Sequence, residues 1–232
     1  GSSQRAARLV HVASGVDGAV RPKRVIFSGE RPLHALRERG VEYVEVRLLD
    51  LNPFLPVGIN AQTMRFIDIF LLHCLLADSP NDTPDEIAAL ARNQHHTAAR
   101  GREPGLRLER GGQEVTLVEW GAELMAAFGP IAAALDAAHG SNDYSAALAA
   151  AQAGLDDASA LPSAQVLAAM AAEHENSFVR FVRQQSLQTR EALLELPFSD
   201  AQQAEFEAQS AQSVQDQRAI EAADTLPFEQ YR

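Results

Sequence analysis

The chain has 232 residues, 46% of them apolar and 22% charged, which is enough for a sizeable core and describes a globular protein rather than a disordered one. A single cysteine excludes an internal disulfide scaffold and points to a reducing compartment, the cytoplasm. The formal net charge of −11 argues against nucleic-acid or anionic-membrane partners.

In chain order, Gly1 to Arg8 contain no methionine and no signal-type apolar stretch follows, so the sequence reads as a fragment. Pro32 to Arg39 predicts a short helix closed by Gly40, a residue that tolerates the left-handed conformation. Glu42 to Leu48 predicts a strand, with Val44, Val46 and Leu48 on one face and Tyr43, Glu45 and Arg47 on the other. The prolines and glycine of Asn52 to Gly58 make a loop. Ala61 to Ala77 predicts a helix that is apolar on nearly all sides, and therefore buried. Its longest apolar run, Phe66 to Ala77, is interrupted by Asp68 and His73 and is too short to cross a bilayer, so no membrane span is expected.

Thr83-Pro84-Asp85-Glu86 has the pattern of a capping box opening a helix over 84–100. Leu106 to Glu109 and Glu114 to Leu117 predict a hairpin turning through Gly111-Gly112. The rest is alanine-rich and helical, near 119–138, 142–153, 163–194 and 199–223, with 154–163 as a linker and a capping box at Ser199 to Gln202. With 41 alanines in the chain, these helices are expected to meet through small side chains.

Candidate chemistry lies in the first half. Residues 1–110 carry 15 Lys and Arg against 13 Asp and Glu, while 111–232 carry 5 against 18, so an anionic substrate belongs to the former. Tyr43, Glu45 and Arg47 share a strand face, where a carboxylate can hold a divalent cation and a guanidinium can steady a phosphate or carboxylate. The same pattern describes a solvated face with a cross-strand ion pair, the commoner case on spacing alone. Arg21-Pro22-Lys23-Arg24 places three cations together, either to grip a nucleotide phosphate or as a basic surface loop; Lys23 is the only lysine in the chain. His95-His96 diverge on a helix and read as solvated, and Cys74 reads as a buried structural thiol.

Gly40-Val41-Glu42-Tyr43-Val44-Glu45-Val46-Arg47, followed by Leu49-Asp50-Leu51-Asn52-Pro53-Phe54, resembles bacterial glutamate-cysteine ligase. The resemblance extends back through Arg21 to Arg24 and Ser28-Gly29-Glu30, and forward through Pro56 to Ile59, Arg65-Phe66, Asp68, Phe70 and Leu76-Ala77-Asp78. Thinner agreement continues at Gly101-Arg102, Pro104-Gly105-Leu106 and Ala222-Ala223-Asp224-Thr225 with Pro227-Phe228. The family's chains are much longer, and this one looks like their C-terminal portion, a single part of a larger ligase domain with about 1–117 bearing the site and about 118–232 helical.

The resemblance implies an α+β fold, mostly helical, whose strands belong to a glutamine-synthetase-like curved antiparallel sheet. It implies ligation of the γ-carboxylate of L-glutamate to the amine of L-cysteine with ATP and Mg²⁺, through a γ-glutamyl phosphate. It assigns Glu45 to the metal and Arg47 to the transferred phosphoryl group; Arg21 and Lys23, from the basic cluster, are the candidates for the nucleotide. The remaining acidic metal ligands would come from an N-terminal portion absent from this sequence. Where the family has a tyrosine-containing segment before its Arg-Pro-Lys, this chain has Val16-Asp17-Gly18-Ala19-Val20. Two other readings stay open: a scaffold or partner-binding module derived from the ligase, and a carboxylate-amine ligase with another acceptor.

Overall fold

The computed structural model describes residues 20–47, 49–79 and 83–231. Two antiparallel ribbons and a set of helices make up the described chain, mostly helical with little sheet. The order is β1 (Val20–Lys23), α1 (Pro32–Arg39), β2 (Tyr43–Val46), α2 (Ala61–Leu76), α3 (Pro84–Arg100), β3 (Arg107–Arg110), β4 (Gln113–Thr116), α4 (Leu117–His139), α5 (Asp143–Asp156), a 3₁₀ turn (Ala158–Ala160), α6 (Pro162–Glu173), α7 (Phe178–Leu194), α8 (Asp200–Ala223) and α9 (Phe228–Tyr231). Tertiary contacts divide the chain into one unit ending at Arg183 and a second running from Gln184 to Arg232.

In the first unit the core lies where α2, α4 and α5 meet. Ile69, Phe128 and Ala132 are its buried centre, flanked by Phe66, Leu124, Met125, Ile131, Leu135, Tyr144 and Leu148. Phe128 receives the edges of Phe66, Phe70 and His73 from α2, with ring centroids 5.9, 6.2 and 5.0 Å away. Small residues allow the close approach, as expected from the alanine content: Ala132 and Ala147 are buried, and a Cβ on Gly121 would lie 2.8 Å from Leu155 Cδ1. Asp136 in α4 accepts the Tyr144 and Ser145 amides at 2.8 and 3.0 Å and so caps the start of α5.

Helix α4 is the one described helix long and apolar enough to cross a membrane by length and composition, although the sequence, judged by its longest apolar run, predicts no span. Its Phe128 and Ala132 form the centre of the core instead, and it carries Glu119, Glu123, Pro130 and Asp136. Helix α2, expected to be buried all round, buries only Ile69 fully; Met64, Phe70, Leu75 and Leu76 are exposed because the core meets one side of the helix. Cys74 is likewise exposed rather than buried, although partial desolvation pushes its thiol pKa up.

The ribbon β3–β4 turns through Gly111 and Gly112, both at positive φ, as the sequence implied. The predicted helix over 163–194 is two helices, interrupted where Glu175 and Asn176 take φ of 52° and 57°. The predicted linker is the end of α5 followed by the 3₁₀ turn. At α3 the cap is one-way: the Thr83 hydroxyl accepts the Glu86 amide, and the reciprocal bond of a full capping box is absent among the described residues. In the second unit Ser199 and Gln202 do form a reciprocal box at the start of α8, and Phe198 stacks on Phe206 at 5.6 Å.

Candidate active site on the β1–β2 ribbon

Pairing of β1 with β2 sets Val20 opposite Val46, Arg21 opposite Glu45, Pro22 opposite Val44 and Lys23 opposite Tyr43. Directly opposed residues in an antiparallel pair share a face. Arg21, Lys23, Tyr43 and Glu45 therefore stand together, and Pro22, which is buried, lies on the other face with Val44. The regular strand ends at Val46, shorter than the predicted 42–48; Arg47 follows it and is exposed, and Leu48 lies outside the described residues.

Helix α1 delivers the chain to β2. Pro32 fits the first helical turn, Ala35 and Leu36 are buried, and Gly40 ends the helix at φ 75°, ψ −175°, a conformation open essentially to glycine. The connection is clasped by side chains. Arg24 donates to the Arg39 carbonyl at 2.7 Å, Arg39 donates to the Val25 carbonyl at 2.8 Å and to Glu30 Oε2 at 2.8 Å, and Glu42 Oε2 accepts the Val25 amide at 3.1 Å. A hydrogen bond from the Phe27 amide, with Arg39 adding to it, outweighs burial and holds the Glu30 carboxyl below its ordinary pKa. Arg24 is thus a clasp rather than a third member of a cationic cluster: alternation turns it away from Arg21 and Lys23.

The exit from β2 is equally fixed. Asn52 donates to the Gly58 carbonyl at 2.8 Å and its side chain accepts the Phe54 amide at 3.0 Å, while Phe54 meets buried Phe181 edge-on at 5.6 Å. Asn60 then caps α2 by accepting the Thr63 amide at 2.9 Å.

Lys23 Nζ lies 3.2 Å from Glu45 Oε2. That oxygen is shielded from solvent, and among the described residues no hydrogen bond of acceptable geometry reaches it. The ammonium is an electrostatic neighbour approaching off the hydrogen-bonding direction, so the carboxylate retains ligating capacity. A carboxylate oxygen of this kind suits Mg²⁺ as one ligand of several. The described residues contain no group of three or more His, Cys, Asp or Glu able to hold a metal, so Glu45 fits as a single donor and the ribbon is not a complete cage. The cross-strand ion pair that the strand pattern allowed is present, and its partner is Lys23, a residue the sequence pointed to only as a phosphate-gripping cation; the partner is set by the antiparallel register, which requires knowing that 20–23 is a strand. His95 and His96 are exposed, as expected, and Val16 to Ala19 lie outside the described residues.

A ribbon face presenting one carboxylate, one ammonium and one guanidinium has the side chains that bind phosphate-bearing ligands and their counter-ions. The glutamate-cysteine ligase family model matches residues 3–97. The chain is 46% identical over 210 residues to a glutamate-cysteine ligase of Pseudomonas fluorescens strain Pf-5, covering 90% of this chain and 39% of that protein. It is 41% identical over 225 residues to that of Alcanivorax borkumensis, covering 97% and 43%. A crystal structure of glutamate-cysteine ligase from Francisella tularensis in complex with AMP matches with a TM-score of 0.78 and 31% identity, over 93% of this chain and 42% of that one. Over most of its length the chain is similar to glutamate-cysteine ligases, and it spans about two fifths of the length of the relatives it matches.

Proposed function

We propose that the chain is the C-terminal portion of an ATP-dependent glutamate-cysteine ligase and supplies one wall of its active site. The observation that carries this is the register of β1 on β2, which gathers Arg21, Lys23 and Glu45 on one face in a chain related to these ligases. In this reading Arg21 and Lys23 bind the polyphosphate of ATP, Glu45 gives one oxygen to Mg²⁺, and Arg47, just past the strand, spans oxygens of the phosphoryl group passing to the γ-carboxylate of L-glutamate. The cation would spread the charge of the triphosphate. L-Cysteine then supplies the amine. The ribbon would be part of the curved antiparallel sheet of the complete enzyme, and the other metal ligands would come from the remaining polypeptide. A nucleotide is consistent with the AMP in the Francisella tularensis structure.

Arg47→Lys tests this in the complete ligase. An ammonium cannot reproduce the planar fork, so kcat should fall on the order of 100-fold. The 232-residue chain alone should release no ADP in response to glutamate and cysteine. An unchanged kcat removes Arg47 from the site, and robust turnover by the chain alone removes the need for a second portion.

A further inference from the structure

We infer that Lys23 is a placeholder cation: its ammonium occupies the position beside Glu45 that a divalent metal ion would take, and so discourages free metal from binding before the nucleotide arrives. This rests on the reading of Glu45 as a metal ligand. The observation behind it is the pairing of an ammonium, 3.2 Å away, with a carboxylate oxygen that is hidden from water and has no hydrogen bond. Buried carboxylate oxygens are normally hydrogen-bonded, and one held only by charge can exchange that charge for another. The side chains as a whole are 38% and 40% exposed, so the ammonium can swing away without unfolding the ribbon.

The residue type supports the same role. The chain has 20 Lys and Arg, of which Lys23 is the only lysine. Arginine forms the structural clasps of this protein, as in the two-pronged contact of Arg92 with Glu109 at 2.6 and 2.7 Å. A guanidinium fork holds a carboxylate through two parallel bonds, whereas an ammonium is a compact point charge on a flexible stem that moves readily from a carboxylate to a phosphate. Nucleotide phosphates would draw Lys23 off Glu45 as they bring their own cation, so metal and nucleotide would enter together.

The test uses the ¹⁵N-labelled 232-residue chain with Mn²⁺ as the probe, reading paramagnetic broadening of the Glu45 amide resonance. Removing a unit charge this close should lower the Mn²⁺ concentration for half-broadening about tenfold in Lys23→Met. Lys23→Arg, with its fork on the carboxylate, should raise it. The expected order of Mn²⁺ requirement is Met below Lys below Arg. Equal requirements, the reverse order, or no broadening in any of the three overturns the inference; if Lys23→Met does not fold, the comparison of Lys23→Arg with wild type decides. Adding Glu45→Gln to Lys23→Met separates the two readings. Broadening that survives the double change refutes Glu45 as the ligand, whereas broadening that vanishes there while Lys23→Met matches wild type refutes the placeholder alone.

Discussion

Asn93 engages both backbone groups of Glu109: its Nδ2 donates to the Glu109 carbonyl at 2.7 Å and its Oδ1 accepts the Glu109 amide at 2.8 Å. A helix side chain thereby completes the edge of a strand, and Asn93 is one of three buried polar or charged residues among those described. Asn93→Ala removes both bonds and leaves a backbone donor and acceptor in a confined space, at a cost of about 2 kcal/mol. Urea unfolding should show a lower midpoint with an unchanged slope.

Asp136 carries a pH prediction. Burial pushes its carboxyl pKa up, but bonds from the Ser145 hydroxyl and the Tyr144 and Ser145 amides, with Arg65 nearby, outweigh that and hold it below the ordinary aspartate value. A lowered folded-state pKa gives stability that is present above the unfolded value and is lost as pH falls through the folded one. Melting temperatures of wild type and Asp136→Asn should differ at neutral pH, with wild type higher, and converge as the solution is acidified below about pH 4. A gap that stays constant across that range refutes the capping role of the charge.

Gly40 sets the angle at which the chain enters β2. At φ 75°, ψ −175°, any side chain is strained, so Gly40→Ala should destabilise by about 1–3 kcal/mol. Because the strain falls beside the ribbon, hydrogen exchange of the Val44 and Val46 amides should speed up more than that of Phe128 in the core. Uniform acceleration would show that the ribbon has no independent dependence on this turn.

Much of this was readable in the sequence where a local signal was strong. Gly40 after Pro32 to Arg39, Gly111-Gly112, and Ser199 with Gln202 each mark an element end by a backbone or capping requirement that few residues meet. The break between α6 and α7 was not, because Glu173-His174-Glu175-Asn176 contains neither proline nor glycine and the positive φ values there fall on ordinary residues. The exposure of Cys74 and of one side of α2 was also hidden, since composition shows that a helix is apolar but not how many neighbours it has. At the site, alternation grouped Glu45 with Arg47, but β1 is four residues containing a proline, too short a pattern to announce a strand. Its pairing is what separates Lys23 from Arg24.

The most direct test of Glu45 as a metal ligand in a ligase is a Mg²⁺ titration of ATP turnover by the complete enzyme, wild type beside Glu45→Gln, with melting curves of both. The amide keeps the size of the side chain and removes the charge that a hard cation prefers, so the apparent Mg²⁺ affinity should fall while the melting temperature barely moves. Superimposable Mg²⁺ titrations would contradict the account, leaving Glu45 as the half-buried ion-pair partner of Lys23 alone.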